Sequence, residues 1–304
     1  MNCRVCLGDA GDLAYHARCA RELFGTEHVP GVDVALGKLH LLALAMVGHM
    51  SLPGAQRKIA IGLSEDRAAL QLAAAGGSFL LKPQASTYPH LPENEHVTMR
   101  LARVFDIDVP PCGLVELLDG SLAYLVRRFD RPEAGGKLAQ EDFCQLAGKP
   151  PHSKYDGSGE LCARLVRKYA TEPTIELLRL FRRLVFVWWT GNGDMHLKNF
   201  ALLNGADGIV RLSPAYDLLC TRLAIPDDQL ALPVCGKRDN LKRRTWLDFA
   251  AHIHLPQRAA ERVIADVARA LPPAIELVGR SFLPADEQAT YVELLRERAA
   301  TIAA

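Results

Sequence analysis

Apolar residues change rhythm along this chain. Up to about position 131 they come in short runs cut by Gly, Pro and Asp-Gly turns; beyond it they fill long helical stretches. The run Ile59-Ala60-Ile61-Gly62-Leu63 predicts a strand, and Gly76-Gly77 turns into a second one over residues 78–83. Glu93-Asn94-Glu95-His96 opens a helix that reaches Phe105, with its acids where the helix dipole favours them. Pro110-Pro111 ends that unit, and residues 115–118 and 122–129 flank Asp119-Gly120 as a hairpin. Residues 34–49 are apolar, of helical or mixed character. Pro132-Glu133-Ala134-Gly135-Gly136 reads as a linker. A helix is predicted over 175–189, with Ile175, Leu178, Arg182 and Val185 along one face and a continuous apolar run from Leu184 to Trp189. Such a helix is buried on most sides. Residues 200–203 and 209–212 flank Asn204-Gly205-Ala206-Asp207-Gly208, a second hairpin. The class is α+β, a small strand-rich part followed by a larger helical one.

Between that buried helix and its hairpin lies Gly191-Asn192-Gly193-Asp194-Met195-His196-Leu197-Lys198-Asn199-Phe200, and Ala215-Tyr216-Asp217 follows the hairpin. An Asp, an Asn five residues later and a distal Asp form the layout of a phosphoryl-transfer site. Asp194 orients or deprotonates the attacking hydroxyl, while Asn199 and Asp217 hold Mg²⁺. The chemistry requires that split, because the reaction is mainly positioning plus charge neutralisation. Asp-x4-Asn alone is common by chance, and a loop of Gly, Asn and Asp is usually a turn. A charged loop issuing from a buried helix is costly to keep without a role, which favours the site.

Composition narrows the class without naming a partner. At 304 residues, 49% apolar and 23% charged, the chain can hold one large or two ordinary domains. A net charge of +1 leaves no global footprint for nucleic acid or anionic membrane, so neither direct nucleic-acid binding nor a membrane is expected. Lys237 to Arg244 is locally basic and reads first as a solvated face. No long apolar run and no signal peptide are apparent, so the expected location is the cytoplasm. Five of the eight cysteines (Cys112, Cys144, Cys162, Cys220 and Cys235) are scattered singly and read as packing residues. The other three cluster as Cys3-x2-Cys6 and His16-x2-Cys19, a donor set for four-coordinate structural zinc or a relic of one. The nine residues between Cys6 and His16 are fewer than most zinc fingers use.

In the first part, Ser51-Leu52-Pro53-Gly54-Ala55-Gln56-Arg57-Lys58 precedes the first strand. It reads as a turn or as a loop whose N–H groups cover phosphates. Lys82, at the end of an apolar strand, stands where a kinase places its phosphate-binding lysine; the alternative is an edge-strand guard. Glu93 or Glu95 would pair with it, and periodicity does not decide between them. A small mixed lobe ahead of a larger helical one is the arrangement of a bilobal protein-kinase-like fold.

With these residues in hand, the chain resembles the HipA family of bacterial serine/threonine kinase toxins. The matching stretches include Pro53 to Lys58, Lys82-Pro83, Glu93-Asn94-Glu95, Leu125 to Arg131, Glu141 to Gln145, Gly193 to Asn199 and Leu212 to Leu218. The resemblance implies ATP held by Gly54, Ala55, Gln56, Arg57, Lys58, Lys82, a hinge at Arg127, Arg128 and Phe129, and His196, Lys198, Asn199, Tyr216 and Asp217. It makes Asp194 the catalytic base and Asp217, with Asn199, the Mg²⁺ ligands. Arg127 stands where many relatives carry Glu. It places autophosphorylation at Ser51; Pro53 replaces the second Ser of some short relatives. Family members of full length carry an extra N-terminal subdomain for which residues 1–30 leave no room. The chain therefore looks like a short HipT-type kinase with a separate HipS-like protein, a HipB-like DNA-binding antitoxin, and an aminoacyl-tRNA synthetase as its protein substrate. The expected division is a Cys/His knob over 1–30, a kinase-like N-lobe over 31–131 and a helical C-lobe over 132–304.

Two other classes remain to be weighed. An aminoglycoside-kinase-type phosphotransferase shares Asp-x4-Asn and a distal Asp, but usually carries His-Gly-Asp and acidic residues to grip cationic substrates. Asn192-Gly193-Asp194 and the basic 238–244 segment argue against it. A pseudokinase scaffold would not be expected to keep Lys82, Asp194, Asn199 and Asp217 together.

Overall fold

The short apolar runs of the first part build one antiparallel sheet, and the long ones of the second build a helical layer beside a smaller sheet. The computed structural model describes residues 1–32, 36–39, 58–73, 76–132 and 135–304. The chain divides into two units: Met1–Arg100 with Pro110–Arg131 and Arg280–Leu283, and Leu101–Val109 with Pro132–Gly279 and Pro284–Ala304. Among the described residues no helix is long and apolar enough to cross a membrane.

In the first unit, helix α1 (Ala17–Phe24) precedes strands β1 (Ile59–Leu63), β2 (Leu70–Leu72), β3 (Phe79–Pro83), β4 (Cys112–Glu116) and β5 (Leu122–Arg127). They pair in the order β2-β1-β3-β5-β4, each pair antiparallel. Helix α2 (Leu91–Val104) lies between β3 and β4 in the chain and belongs to this unit as far as Arg100. Alternation along β3 sends Phe79 and Leu81 into a core with Ile59, Ile61 and Leu125, and turns Lys82 to the other face. β3 is a central strand, so Lys82 is no edge guard, and it is only 3% exposed. The hairpin expected from residue 115 begins three residues earlier at Cys112. The β2 strand, short and half exposed, was not expected.

The second unit holds β6 (Gln140–Asp142), β7 (Ala201–Asn204) and β8 (Val210–Leu212) in that order, all antiparallel. Its helices are α3 (Phe143–Leu146), α4 (Gly159–Tyr169), α5 (Pro173–Trp189), α6 (Arg243–His252), α7 (Gln257–Gly279) and α8 (Ala285–Ala303). The α5 helix starts at a proline in its first turn, where the missing N–H costs nothing. Its apolar stretch is buried as expected, but Ile175 is 49% exposed, so the buried stripe starts instead at Glu176 and Leu177. The first turn of α5 reaches solvent, and Ile175 lies on that outer side. Two buried charges on this helix tie it to the hairpin. Glu176 Oε2 accepts from Leu212 N at 2.8 Å and Arg183 Nη2 donates to Ser213 O at 2.6 Å. At its C-terminal end Trp189 packs on Phe105 at 5.5 Å and donates Nε1–H to Leu295 O. Cys235, expected as a packing residue, is exposed and sits in a turn at φ +48°.

Candidate active site

The end of α5 fixes where the polar loop begins. Gly191 takes φ +72°, and a Cβ there would meet Leu294 Cδ2 at 2.7 Å, so glycine closes the helix here without strain. Gly193 is required for a different reason: a Cβ there would collide with the Asp228 carboxylate and lie 2.5 Å from Gln229 O. Thr221 Oγ1 occupies the same corner. It accepts from Gly193 N at 2.7 Å and its hydroxyl lies 2.5 Å from Asp228 Oδ2 and 3.0 Å from Gly191 O.

On that base the loop assembles itself. Asn192 Oδ1 accepts from Asp194 N at 3.0 Å, an Asx turn, and its Nδ2 reaches Asp217 O at 3.3 Å. Asn199 donates Nδ2–H to Asp194 O at 3.0 Å, while His196 N donates to the same carbonyl at 2.8 Å. Tyr216 Oη donates to Lys198 O at 3.0 Å, and Lys198 Nζ pairs with Asp142 at 2.8 Å. Asp142 is itself fixed as the N-cap of α3 in a capping box with Gln145. Asp217 adopts φ +55°, a left-handed conformation that Asp tolerates better than most residues. Asp194, His196, Lys198, Asn199, Tyr216 and Asp217 thus form one hydrogen-bonded assembly in the second unit.

The electrostatics sort these groups. Asp194 is exposed, and its Oδ1 accepts from Tyr155 Oη at 2.6 Å. Burial and then that carboxylate push the Tyr155 phenol well above its ordinary range, so it stays a donor. Burial likewise raises Tyr216, with the Asp217 charge adding to it. Burial lowers His196, against the opposing pull of Asp194, which keeps the ring neutral near pH 7. The His196 Nδ1 atom is buried with no hydrogen-bond partner among the described residues, although Tyr155 packs edge-on against the ring at 5.2 Å.

In the first unit, Lys82 Nζ lies 2.5 Å from Glu95 Oε1, both side chains almost fully buried, and 5.4 Å from the centre of the Tyr124 ring. Of the two acids left open by periodicity, Glu95 is the one brought to the lysine. Arg127 and Arg128 lie at the end of β5, with Arg127 N donating to Pro111 O and Arg128 N to Ser78 O, each at 2.8 Å. The Arg128 guanidinium grips Asp130 through two bonds, of 2.9 and 2.7 Å. Burial works against the Asp130 charge, yet Arg128 and then Arg131 hold its carboxyl below the usual range. Phe129 follows Arg128 at that end of β5. Lys58 is exposed just ahead of β1. Ser51, Gly54, Ala55, Gln56 and Arg57 lie outside the described residues. Cys3, Cys6, His16 and Cys19 converge, their ligand atoms all within 4.8 Å of one another.

Four participants had not been singled out for these roles: Tyr155, Asn192, Thr221 and Asp228. Tyr155 lies 39 positions from Asp194, and no local spacing links them. Asn192 did carry a signal, since Asn two residues before Asp is an Asx-turn pattern.

The HipA-like C-terminal domain model matches residues 50–275. A Sinorhizobium fredii protein named "Putative kinase Y4mE" is 34% identical over 244 residues, 75% of this chain and 57% of that one. The Shewanella oneidensis protein named serine/threonine-protein kinase toxin HipA is 28% identical over 233 residues, 67% of this chain and 52% of its own. The structure of the Shewanella oneidensis HipA, HipB and operator DNA complex contains a chain similar to this one at TM-score 0.73 and 20% identity, over 91% of this chain and 73% of that one. The chain spans about half the length of the Sinorhizobium fredii relatives it matches. The fold is α+β and that of the HipA kinases, and the chain belongs to the HipA family.

Proposed function

We propose that this chain is an ATP-dependent serine/threonine protein kinase. The observation that carries the reading is the geometry around Asp194: an exposed carboxylate with one oxygen held by Tyr155 and its main chain clamped by Asn192, His196 and Asn199. Held this way, Oδ2 can face a substrate hydroxyl while the carboxylate keeps one rotamer, and such positioning is most of what phosphoryl transfer needs.

The residues present fit Mg²⁺ and ATP. Asn199 spends its amide N–H on the Asp194 carbonyl, which leaves its Oδ1 as an acceptor; with the Asp217 carboxylate it would supply oxygen donors of the kind a hard cation takes. His196 Nδ1, without a partner among the described residues, is a buried polar atom that a nucleotide hydroxyl or phosphate would satisfy. Lys82, oriented by Glu95, is the phosphate-binding cation of the first unit. Gly54 to Lys58 would cover phosphates, and the main chain of Arg127 to Phe129 would take the adenine, the Arg128 guanidinium being committed to Asp130. When bound, Mg²⁺ and ATP supply the transferable phosphoryl group and neutralise its charge. Asp194 would take the hydroxyl proton, and Lys198, anchored on Asp142, would supply a cation in the same loop.

In this reading the kinase is the toxin of a toxin–antitoxin system, working in the cytoplasm with a HipB-like antitoxin, a HipS-like small protein and an aminoacyl-tRNA synthetase as substrate. The resemblance to a HipA that was solved with HipB and DNA supports the antitoxin. Autophosphorylation at Ser51 would set charge beside the phosphate loop and lower activity. The test is transfer of labelled phosphate from ATP, with Mg²⁺, by purified protein. Incorporation should vanish in Asp194→Asn and Asp217→Asn; near wild-type incorporation in either variant would reject the role assignment.

A further inference from the structure

We propose that Cys3, Cys6, His16 and Cys19 bind one structural zinc ion, and that this ion props the helix carrying Glu95. Cys6 Sγ and Cys19 Sγ lie 3.3 and 3.7 Å from His16 Nδ1, and all four ligand atoms fall within 4.8 Å of one another. A tetrahedron with Zn–S near ~2.3 Å and Zn–N near ~2.0 Å has edges of about 3.5–3.8 Å, so the four atoms enclose a single ion. Three thiols and one imidazole are zinc chemistry, and four protein ligands leave no open position, which makes the ion structural.

The histidine is oriented for this task. His16 Nε2 donates to Asp9 O at 2.8 Å, which fixes the tautomer and leaves the Nδ1 lone pair facing the sulfurs. Local folding explains the short spacing. His16 is the N-cap of α1 and Cys19 lies in its first turn, with Cys19 N bonded to His16 O at 2.9 Å. The Cys3–Cys6 turn closes on itself through Leu7 N to Cys3 O at 3.0 Å, with Leu7 at φ +62°. A loop with so little regular structure gains much of its order from a metal staple.

The ion's reach extends beyond its ligands because the turn it ties is built into the unit. Leu114 N on the edge strand β4 donates to Arg4 O at 2.8 Å, and a Cβ at Gly113 would meet that carbonyl at 2.8 Å. Tyr15 Oη donates to Leu114 O at 2.7 Å. Val5 O, between the first two cysteines, accepts from His96 Nε2 at 3.0 Å in a fully buried contact. His96 follows Glu95 on α2, so a turn loosened at Cys3–Cys6 releases the helix at the residue next to the Lys82 partner. The consequence for catalysis rests on the proposed kinase reading; the metal site and its hold on α2 do not.

Native mass spectrometry and elemental analysis of the full chain, purified under reducing conditions, should give about one zinc per chain, falling to about none in Cys6→Ser and Cys19→Ser while His16→Cys retains it. Should those variants not fold, zinc is stripped from wild type with a chelator and restored by zinc salt, with hydrogen exchange followed throughout. Removal should speed exchange of residues 91–100 about 10-fold or more, and zinc should reverse it. Protein that holds no zinc even after reconstitution overturns the site. Zinc loss with unchanged exchange at 91–100 overturns the prop. Neither result depends on Asp194, whose variants test the kinase reading separately.

Discussion

Take the buried pair of Lys82 and Glu95. The two side chains are 4% and 2% exposed and their charged atoms lie 2.5 Å apart. With an effective dielectric of about 20 their attraction is roughly 7 kcal/mol. Desolvating both groups cancels several kcal/mol per ion, so the intact pair contributes little net stability. Breaking it is another matter. Glu95→Ala takes the paired carboxylate away from the buried Lys82 ammonium beside Tyr124, and the cost should be about 3–5 kcal/mol. Lys82→Met takes the paired ammonium away from the buried Glu95 carboxylate at similar cost, whereas Lys82→Met with Glu95→Leu removes both charges and should recover most of the loss. The expected coupling is therefore about 3 kcal/mol or more, far beyond the additivity error of distant sites. All three tryptophans (Trp188, Trp189 and Trp246) lie in the second unit, so their fluorescence is a poor reporter here. Urea unfolding should be followed by far-UV circular dichroism and by hydrogen exchange in β3. If the double variant is as destabilised as the sum of the singles, the two groups do not depend on each other and the reasoning fails. ATP binding separates function from stability: it should be lost in the double variant although the fold is restored.

Tyr155→Phe removes a charge-assisted hydrogen bond to Asp194 worth about 1.5–3 kcal/mol and should lower kcat about 10- to 100-fold, with unchanged KM for ATP in a steady-state assay. Gly193→Ala drives a methyl into Asp228 and should abolish activity, and Asp228→Gly in the same chain should recover part of it by opening that corner. Acid stability should report on His96. Burial, with help from Arg100 and against the Val5 hydrogen bond, depresses its folded pKa to about 3 from 6.5. The unfolded chain therefore binds the extra proton first, so stability is full above about pH 6.5 and is lost as pH falls toward 3, by several kcal/mol. In urea melts at fixed pH, His96→Gln should flatten that slope between pH 6 and 4; an unchanged slope would assign the acid lability to other groups.

What was legible in the sequence follows from the range of the interactions. The strand carrying Lys82, the helix before Asp194 and both hairpins announce themselves through local periodicity and turn residues, and they form within a few residues of expectation. Strand β6 does not: Gln140 to Asp142 is short and polar, and becomes a strand only because β7 offers a partner, from Ala201–Leu203. Ile175 reads as core because hydrophobicity is scored per residue, while the rotation of α5 is set by Glu176 and Arg183 binding the hairpin. The same limit governs the candidate site. Asp194 and Asn199 are visible because five positions of spacing close through one backbone carbonyl, a contact the local chain makes by itself. Glu95 over Glu93 is a matter of a hundred-degree steps around a helix, decided by which face the sheet presents, so no reading of α2 alone could choose it. Tyr155 is the extreme case, a residue that reaches Asp194 only because a turn ahead of α4 meets a loop after α5. Contacts that depend on neighbouring residues were written in the sequence, and contacts that depend on where a helix points were not.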